Sequence, residues 1–359
     1  PTYGELSGYD EDEIKDTIDM LVRNRLITLT PLPANKFIKI LSITDKGNNE
    51  IQNPKLNTHL TMDIPKIEIN ESDRAVFQAL SPFLDKYNDE QKKAIISSSK
   101  NVLCVAGAGS GKTTVLTKRI EFLTKYRSIQ PNKILAVTFT RKARQEMQDR
   151  LQKSLGSTQT HIETFNSFCE KQLKRHNYKL YDQEMKVISY GDKIRILKHS
   201  LNHLNVSPDS VLKEYFTKGM RRGKTDEELI HTFMNDCFSL LDYCKLEKIS
   251  IDSIKIPNNS FLQKLLIGVC SLIVGEMNQL GLRDYTDQII EVFKLFDKHP
   301  EVKPDFEHIL VDEYQDVNAA QIDLLNKLSA PNLFTVGDPR QAIYGWRGSK
   351  IDYILDFKQ

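Results

Sequence analysis

The sequence predicts an α/β protein built on a parallel sheet, with a helical insertion and a small N-terminal unit. Short apolar segments alternate with long amphipathic ones from about residue 87, as in strand–helix repeats. Between 178 and 303 the pattern is mostly helical, which indicates an insertion between strands of one sheet. The predicted strands of that sheet are 102–105, 134–138, 309–311 and 333–336.

Residues 1–60 are predicted to form a separate, winged-helix-like unit. A capping box at Asp10 begins a predicted helix, and two strands follow over 26–29 and 37–43. A helix followed by two strands resembles the end of a winged-helix domain, and a small α/β appendage without a nucleic-acid role fits the same pattern. Polar residues and prolines then predict a linker over 61–86.

The composition is that of a folded protein without a strong overall charge. Hydrophobic residues make up 40% and charged residues 27%, and the formal net charge is +2. A nucleic-acid surface would therefore need local clusters of Lys and Arg, for which a solvated face is the alternative interpretation. Two such clusters are Lys171, Lys174, Arg175 and Lys179, and Lys218, Arg221, Arg222 and Lys224.

Cysteine usage and hydropathy predict a reduced, cytoplasmic protein without a membrane partner. The 5 cysteines have no metal-binding spacing, and no basic-then-apolar signal segment opens the sequence. The longest apolar stretch, 265–274, is about half of the ~20 residues needed to span a bilayer. We therefore predict that this stretch is a buried helix.

A glycine-rich segment after the first predicted strand of the sheet has the pattern of a phosphate-binding loop. It reads Ala106-Gly107-Ala108-Gly109-Ser110-Gly111-Lys112-Thr113 and is followed by a predicted helix. Glycines let backbone N–H groups turn toward phosphates, and the helix N-terminus adds partial positive charge. Lys112 is predicted to reach the β- and γ-phosphates of ATP, and Thr113 to coordinate Mg²⁺. A chance glycine-rich turn is the alternative, which the flanking strand and helix disfavour.

Two acidic residues follow a later predicted strand and suit the other half of an ATP hydrolase site. Asp312 suits a Mg²⁺ ligand, and Glu313 suits the base that orients the attacking water. An exposed acidic strand end is the alternative for a lone Asp-Glu pair. The phosphate-binding loop on the same predicted sheet favours the catalytic interpretation.

Six segments in order resemble the motifs of UvrD/Rep-type superfamily 1 DNA helicases. The matching segments are the Q motif 88–91, the P-loop 106–113, motif Ia 136–143, motif Ib 163–168, motif II 311–316 and motif III 336–348. The resemblance extends over 87–358, roughly three quarters of the chain. It implies a RecA-like P-loop NTPase domain, called 1A, in two parts over 87–177 and 304–359. The segment 178–303 between them would be the inserted 1B subdomain.

The resemblance also implies roles for single residues. Gln91 would read the adenine edge, while Gln341 would contact the γ-phosphate and couple hydrolysis to motion, so that Glu313, Lys112 and Gln341 act in catalysis. The implied nucleotide-binding residues are Gln91, Ala106, Gly107, Ala108, Gly109, Ser110, Gly111, Lys112, Thr113 and Thr114. The implied single-stranded DNA track is Phe139, Thr140, Arg141, Thr164, Phe165, Asn166, Tyr344, Trp346 and Arg347. Core burial is the alternative for Trp346, the only tryptophan.

Three positions depart from the motifs of this family in ways that affect ligand contacts. Thr114 stands where many relatives have an arginine that stacks on adenine, so one face of the base would be held less well. Asn166 stands where histidine is usual and Arg141 where asparagine is usual, and both changes would alter the DNA contact.

The activity implied is ATP-driven translocation and unwinding, in the three-prime to five-prime direction, with ATP and Mg²⁺ as cofactors. The implied partner is single-stranded DNA or a junction of single and double strands. The chain ends at Gln359, before the positions of motifs IV to VI in a second motor domain (2A and 2B). We therefore expect a monomer that binds ATP and single-stranded DNA without efficient unwinding. The motor part of a helicase–nuclease and an ATP-dependent DNA-binding regulatory module stay open as alternatives.

Overall fold

The structure is a computed structural model in which contacts divide the chain into two compact units. It describes residues 68–107, 109–156, 159–254, 260–338 and 357, and the backbone of two strands at 27–31 and 39–43. The sheet unit consists of Thr61–Asp182 and Asp287–Gln359. The insertion unit consists of Gln183–Thr286, and Pro1–Leu60 groups with it.

Both units contain strands and helices. The strands are β1 Ile27–Pro31, β2 Lys39–Ile43, β3 Asn101–Val105, β4 Ile134–Thr138, β5 His161–Thr164, β6 Lys186–Val187, β7 Leu282–Arg283, β8 His308–Val311 and β9 Asn332–Gly337. The α-helices are α1 Glu71–Ala79, α2 Ser81–Leu84, α3 Asp89–Ile96, α4 Lys112–Tyr126, α5 Arg141–Leu155, α6 Phe165–Arg175, α7 Tyr190–His203, α8 Pro208–Tyr215, α9 Lys218–Arg221, α10 Asp226–Leu246, α11 Ser260–Gln279, α12 Tyr285–Lys298 and α13 Ala319–Leu328. Short 3₁₀ turns occur at Pro131–Lys133, Asn177–Lys179, Ile251–Ser253, Pro300–Val302 and Tyr314–Asp316.

Five parallel strands form the central sheet in the order β3-β9-β8-β4-β5. Because all five run in the same direction, their carboxyl ends meet at one edge, where open α/β sheets bind ligands. The predicted α/β class with a parallel sheet is therefore confirmed. All four predicted strands of this sheet are present. The fifth, β5, was not predicted as a strand, because Ile162 is its one apolar residue between His161 and Glu163.

Helices cover both faces of the sheet, because alternate side chains of each strand enter two different cores. On one face, Ile134, Ala136 and Leu310 pack with α3, α4 and α5. On the other face, Leu135 and Val311 pack with α6, α12 and α13. Burial on both faces explains why the strands are continuously apolar rather than alternating.

Two predicted boundaries differ from the structure. Helices α1 and α2 lie within the predicted linker 61–86, and they bury Phe77 and Leu84 in the sheet-unit core. The burial of one apolar side chain from each helix outweighs the polar residues around them. The insertion was predicted to end at 303, whereas α12 buries Val292 and Leu295 in the sheet-unit core, so the structural division falls at Thr286.

The N-terminal unit is described only at its two strands. β1 and β2 pair antiparallel, with Ile27 opposite Ile43 and Pro31 opposite Lys39. The two strands predicted there are therefore present. The helix predicted from Asp10 lies outside the described residues, and the winged-helix assignment stays a prediction.

The insertion unit has a helical core of its own. Helices α7, α10 and α11 supply most of it, and the predicted buried helix over 265–274 is confirmed within α11, where Val269, Cys270 and Ile273 are fully buried. Within the described residues, Phe261–Gln279 is the one segment long and apolar enough to cross a membrane by length and composition alone.

A buried arginine fixes α3, which carries the Q motif, against α4. Arg119 Nη1 donates to the carbonyl oxygens of Ile95 (2.7 Å) and Ser97 (2.6 Å) at the end of α3. Its guanidinium also lies 5.3 Å from the centre of the Phe334 ring. Burial lowers the pKa of Arg119 to about 10, so the group is still protonated at neutral pH.

Replacing Arg119 by Met should lower the free energy of unfolding by about 2–4 kcal/mol. The carbonyl groups of Ile95 and Ser97 would lose charged donors, each worth ~1.5–3 kcal/mol. Urea unfolding followed by circular dichroism measures the change. The control is Arg127→Met, at an exposed arginine at the end of the same helix, for which we expect less than about 1 kcal/mol. Equal losses in the two variants would contradict this role of Arg119.

Candidate active site

The glycine-rich loop joins β3 to the N-terminus of α4 at the carboxyl edge of the sheet. Gly109 and Gly111 have φ values of 73° and 82°, a region that side chains disfavour. Gly111 caps α4, so the first N–H groups of the helix face the end of the loop. Ser110 Oγ is buried and has no hydrogen-bond partner among the residues that the structure describes. A buried hydroxyl without a partner next to a helix N-terminus suits a phosphate oxygen.

Four side chains from the loop and from the end of β8 converge. Thr113 Oγ1 donates to Asp312 Oδ2 at 3.1 Å. Lys112 Nζ donates to the carbonyl of Ala106 at 3.3 Å and lies 3.8 Å from Glu313 Oε2. The Lys112 side chain is only 8% exposed, so its charge acts in a poorly solvated place. The chain thus brings Lys112, Thr113, Asp312 and Glu313 together from segments about 200 residues apart.

The hydroxyl of Thr113 and the carboxylate of Asp312 form an oxygen pair that fits Mg²⁺. Hard cations of this kind prefer carboxylate and hydroxyl oxygens. Burial, together with the negative charge of Glu313, raises the pKa of the Asp312 carboxyl to about 6. A bound cation would favour the ionised carboxylate and relieve this unfavourable burial of charge.

Glu313 has a left-handed backbone conformation, with φ 49° and ψ 47°. Such a conformation is uncommon for a residue with a side chain and is concentrated at functional sites. The N–H of Glu313 donates to Asp312 Oδ1 at 3.0 Å, which holds the turn. The turn leaves the Glu313 side chain 36% exposed beside the buried Asp312.

Gln91 lies against the phosphate loop. Its Nε2 donates to the Ser110 carbonyl at 2.9 Å, and its Oε1 accepts from the Asn88 N–H at 3.1 Å. Each of these atoms has capacity for one more bond. Gln91 therefore braces the loop, and contact with the adenine edge stays a prediction.

Arg150 is a candidate nucleotide-site residue that the sequence did not reveal. Its Nη1 donates to Thr114 Oγ1 at 2.7 Å, and its Nη2 pairs with Glu146 Oε1 at 2.5 Å. The family resemblance implies an arginine at the position of Thr114, and α5 brings the guanidinium of Arg150 to this position from 36 residues away. The contact is tertiary, and nothing in the spacing of α5 signals it.

The predicted DNA-contacting segments start at the same edge of the sheet. Thr138 and Thr164 are register partners at the ends of β4 and β5. Thr140 caps α5 by accepting from the Ala143 N–H, and Thr164 caps α6 by accepting from the Ser167 N–H. The positive ends of two helices therefore lie side by side, an arrangement that suits the phosphates of a nucleic-acid backbone.

The individual DNA-track residues differ in exposure. Thr140 and Arg141 are exposed, while Phe139, Thr164 and Asn166 are half-buried. Phe165 is the first residue of α6, and its ring is buried in the core, so only its backbone lies near the surface; its place in the DNA track stays a prediction. Phe165 lies on the apolar face of α6, and this face packs against the core. Resemblance to a motif does not show which of its residues are buried.

A buried carboxylate joins helices α5 and α6. Glu163 accepts from Arg144 Nη1 of α5 at 3.2 Å and from Ser167 Oγ of α6 at 2.6 Å, and it pairs with Lys171. Its side chain is 3% exposed. Lys171 and Arg144 are therefore partly neutralised within the chain, and Glu163 is a second residue that sequence reasoning missed.

Some predicted site residues lie outside the described residues. They are Ala108 of the phosphate loop and Gln341, Tyr344, Trp346 and Arg347 of motif III. Their roles stay predictions.

Comparisons with known proteins identify a family and several relatives of this chain. Residues 87–359 match the family described as UvrD/REP helicase N-terminal domain. The chain is 32% identical over 285 residues to the "Probable DNA helicase II homolog" of Mycoplasma capricolum. It is 31% identical to DNA helicase II of Haemophilus influenzae over 296 residues, and 31% identical to the ATP-dependent DNA helicase PcrA of Staphylococcus aureus over 289 residues.

The matches cover most of this chain but a smaller part of each relative. The alignments span 77% of the chain for the Mycoplasma and Haemophilus proteins and 78% for the Staphylococcus protein. They span 37% of the length of each of these relatives. The extent of the family match, together with the parallel sheet and its phosphate loop, shows that the chain belongs to the UvrD/REP helicase N-terminal domain family.

Proposed function

We propose that this chain is the ATP-binding half of a DNA helicase motor, which binds Mg-ATP and single-stranded DNA at one edge of its sheet. The observation that carries the proposal is the convergence of Lys112, Thr113, Asp312 and Glu313 at the carboxyl ends of β3 and β8. The names of the relatives, which include an ATP-dependent DNA helicase, support the same function. Movement from three-prime to five-prime along the strand is part of this proposal.

Each residue of the nucleotide site has a distinct task in the proposed hydrolysis. Lys112 binds the β- and γ-phosphates, and the N–H groups of the loop hold the phosphate oxygens. Thr113 and Asp312 would hold Mg²⁺, which neutralises phosphate charge when bound. Glu313 accepts a proton from the attacking water and orients it toward the γ-phosphate. Its half-exposed position beside Lys112 leaves room for that water.

The DNA track in this proposal follows the capped starts of α5 and α6. Thr140 and Arg141 lie at one helix start, and Thr164 and Asn166 lie at the other, next to it across the β4–β5 pair. Contacts of this kind are made to phosphates and do not read sequence. Stacking of bases on Phe139 would add affinity that is also independent of sequence.

Replacing Arg141 by Ala should weaken binding of single-stranded DNA and reduce its salt dependence. Each neutralised phosphate contributes about −0.7 to the slope of log K against log salt for single strands, so the loss of one contact should lower the slope by ~0.7. The measurement is titration of a fluorescent oligonucleotide at several salt concentrations. An unchanged slope and affinity would remove Arg141 from the track.

Lys153→Ala is the matched control for this experiment. Lys153 is an exposed cation in the last turn of the same helix. Its substitution changes the net charge by the same amount as Arg141→Ala, but at the end of α5 that lies away from the sheet edge. We expect its slope and affinity to stay close to those of the unmodified chain. Equal effects of the two substitutions would indicate nonspecific attraction by total charge and would contradict the proposed track.

A further inference from the structure

The buried carboxylate of Glu163 uses its two oxygens differently. Oε2 accepts from Arg144 Nη1 of α5 at 3.2 Å and from Ser167 Oγ of α6 at 2.6 Å. Oε1 pairs with Lys171 Nζ of α6. Because the Glu163 side chain is only 3% exposed, water and salt screen its charge poorly, and the carboxylate attracts both cations strongly.

The two cations lie at the surface, although the carboxylate does not. The Lys171 side chain is 67% exposed, and the Arg144 side chain is 30% exposed. Arg144 follows Thr140, the N-cap of α5, by about one helical turn. Lys171 follows Thr164, the N-cap of α6, by about two turns. Both long side chains therefore lie beside the helix starts at which we propose that the DNA strand binds.

Glu163 competes with any phosphate for these cations. A phosphate that binds Lys171 or Arg144 gains less when a carboxylate already lies against the same cation. Drawing Lys171 away from Glu163 would also leave a buried negative charge with one cation fewer, which is costly. The pairing seen in the structure therefore opposes contact between these two cations and DNA.

We propose that Glu163 limits the affinity of the track for single-stranded DNA by holding Lys171 and Arg144 in ion pairs within the chain. The inference rests on the proposed function, which places the strand at the starts of α5 and α6. Glu163 takes the place at these cations that a phosphate would otherwise take. The strand is then held by the helix starts and by Arg141, and this weaker hold on the phosphates favours release of the strand.

Replacing Glu163 by Gln should strengthen binding of single-stranded DNA. The amide oxygen can still accept from Arg144 and Ser167, whereas the amide NH₂ would face Lys171 and could not pair with it. We expect the affinity for a fluorescent oligo-dT strand to rise about two- to fivefold, the value of one exposed ion pair. The slope of log K against log salt should become steeper by ~0.7, which corresponds to one further phosphate contact. Affinity for a fluorescent ATP analogue with Mg²⁺ should stay within about twofold of that of the unmodified chain.

Replacing Lys171 by Ala tests the same pairing from the side of the cation. In the unmodified chain this change should leave the salt slope nearly unaltered, because Glu163 already keeps Lys171 from the phosphates. Combined with Glu163→Gln, it should remove the gain in affinity and in slope. If Glu163→Gln does not fold, Lys171→Ala alone decides. A slope lower by ~0.7 would then show that Lys171 binds phosphate in spite of Glu163, and the proposal would be wrong.

The matched control is Glu301→Gln, which removes the same charge from a carboxylate that also pairs with a lysine. Glu301 Oε1 lies 2.7 Å from Lys179 Nζ, beyond the C-terminus of α6 and away from the helix starts. Its affinity and slope should stay close to those of the unmodified chain. Equal gains in the two variants, or no gain in Glu163→Gln, would overturn the proposal. Failure of the unmodified chain to bind the oligonucleotide at all would instead overturn the proposed function.

Discussion

Replacing Glu313 by Gln should slow ATP hydrolysis by about 10²–10⁴-fold and leave Mg-ATP affinity nearly unchanged. General bases contribute rate factors of this size, and an amide cannot accept the proton from water. The amide is nearly the same shape as the carboxylate, and its oxygen can still accept from Gln315 Nε2, as Glu313 Oε2 does at 2.8 Å. The proposed phosphate contacts of Lys112 and the loop would be left in place. Single-turnover hydrolysis and equilibrium titration with a fluorescent ATP analogue measure the two quantities separately.

The control is Glu71→Gln, which makes the same chemical change at an exposed position in the first turn of α1. Its hydrolysis rate should equal that of the unmodified chain. A rate for Glu313→Gln within about threefold of the unmodified chain would show that another group activates the water. A large loss of Mg-ATP affinity would instead place Glu313 among the ligand-binding groups.

The parts of the site that sequence predicts well are those in which neighbours along the chain act together. The pattern of the loop from Ala106 to Thr113 lies in consecutive residues, because the glycines, the lysine and the helix N-terminus would all bind the same phosphates. The pair Asp312 and Glu313 is local in the same way. The phosphate loop and this acidic pair are close in space because they follow two strands of one parallel sheet, whose carboxyl ends share an edge.

Contacts between distant segments have no comparable signal in a single sequence. Arg150 meets Thr114 from another helix, and Glu163 is neutralised by Arg144 of α5 and by Lys171 of α6. Each depends on how two helices pack, which periodicity does not determine. Motif resemblance also failed to separate the buried from the exposed members of a motif, as the ring of Phe165 illustrates.

The predicted boundaries of helices and strands were wrong where the local sequence signals were weak or pointed to different structures. The polar residues of 61–86 predicted a linker, yet burial of Phe77 from α1 and Leu84 from α2 places both helices on the sheet-unit core. The strand β5 has four residues and a single apolar side chain, Ile162, which is below what alternation can detect. In both cases the tertiary packing surface decided the structure, and that surface is built by residues far away in the sequence.

Replacing Lys112 by Ala should weaken nucleotide binding by at least ~30-fold. The ammonium group is almost fully buried between the Ala106 carbonyl and Glu313, and it faces the loop that would hold the phosphates. Truncating one partner of a buried, hydrogen-bonded charge pair costs about 2–5 kcal/mol, and each 1.4 kcal/mol is roughly tenfold in affinity. In the substituted chain, Glu313 would also remain without its cation beside the phosphate site. Its repulsion of the nucleotide adds to the loss.

Titration with a fluorescent ATP analogue and Mg²⁺ measures this loss, and Lys118→Ala is the matched control. Lys118 lies on the same helix, is 16% exposed, pairs with Glu121 at 3.0 Å and lies over the ring of Phe83. The Lys118→Ala substitution also removes a packed lysine from α4, but this lysine does not contact the phosphate loop. Nucleotide affinity should therefore stay within about twofold of that of the unmodified chain. Equal losses in the two variants would mean that damage to α4, and not the missing ammonium, weakens binding. Unchanged affinity in Lys112→Ala, with the fold intact by circular dichroism, would contradict the assignment of this loop as the phosphate site.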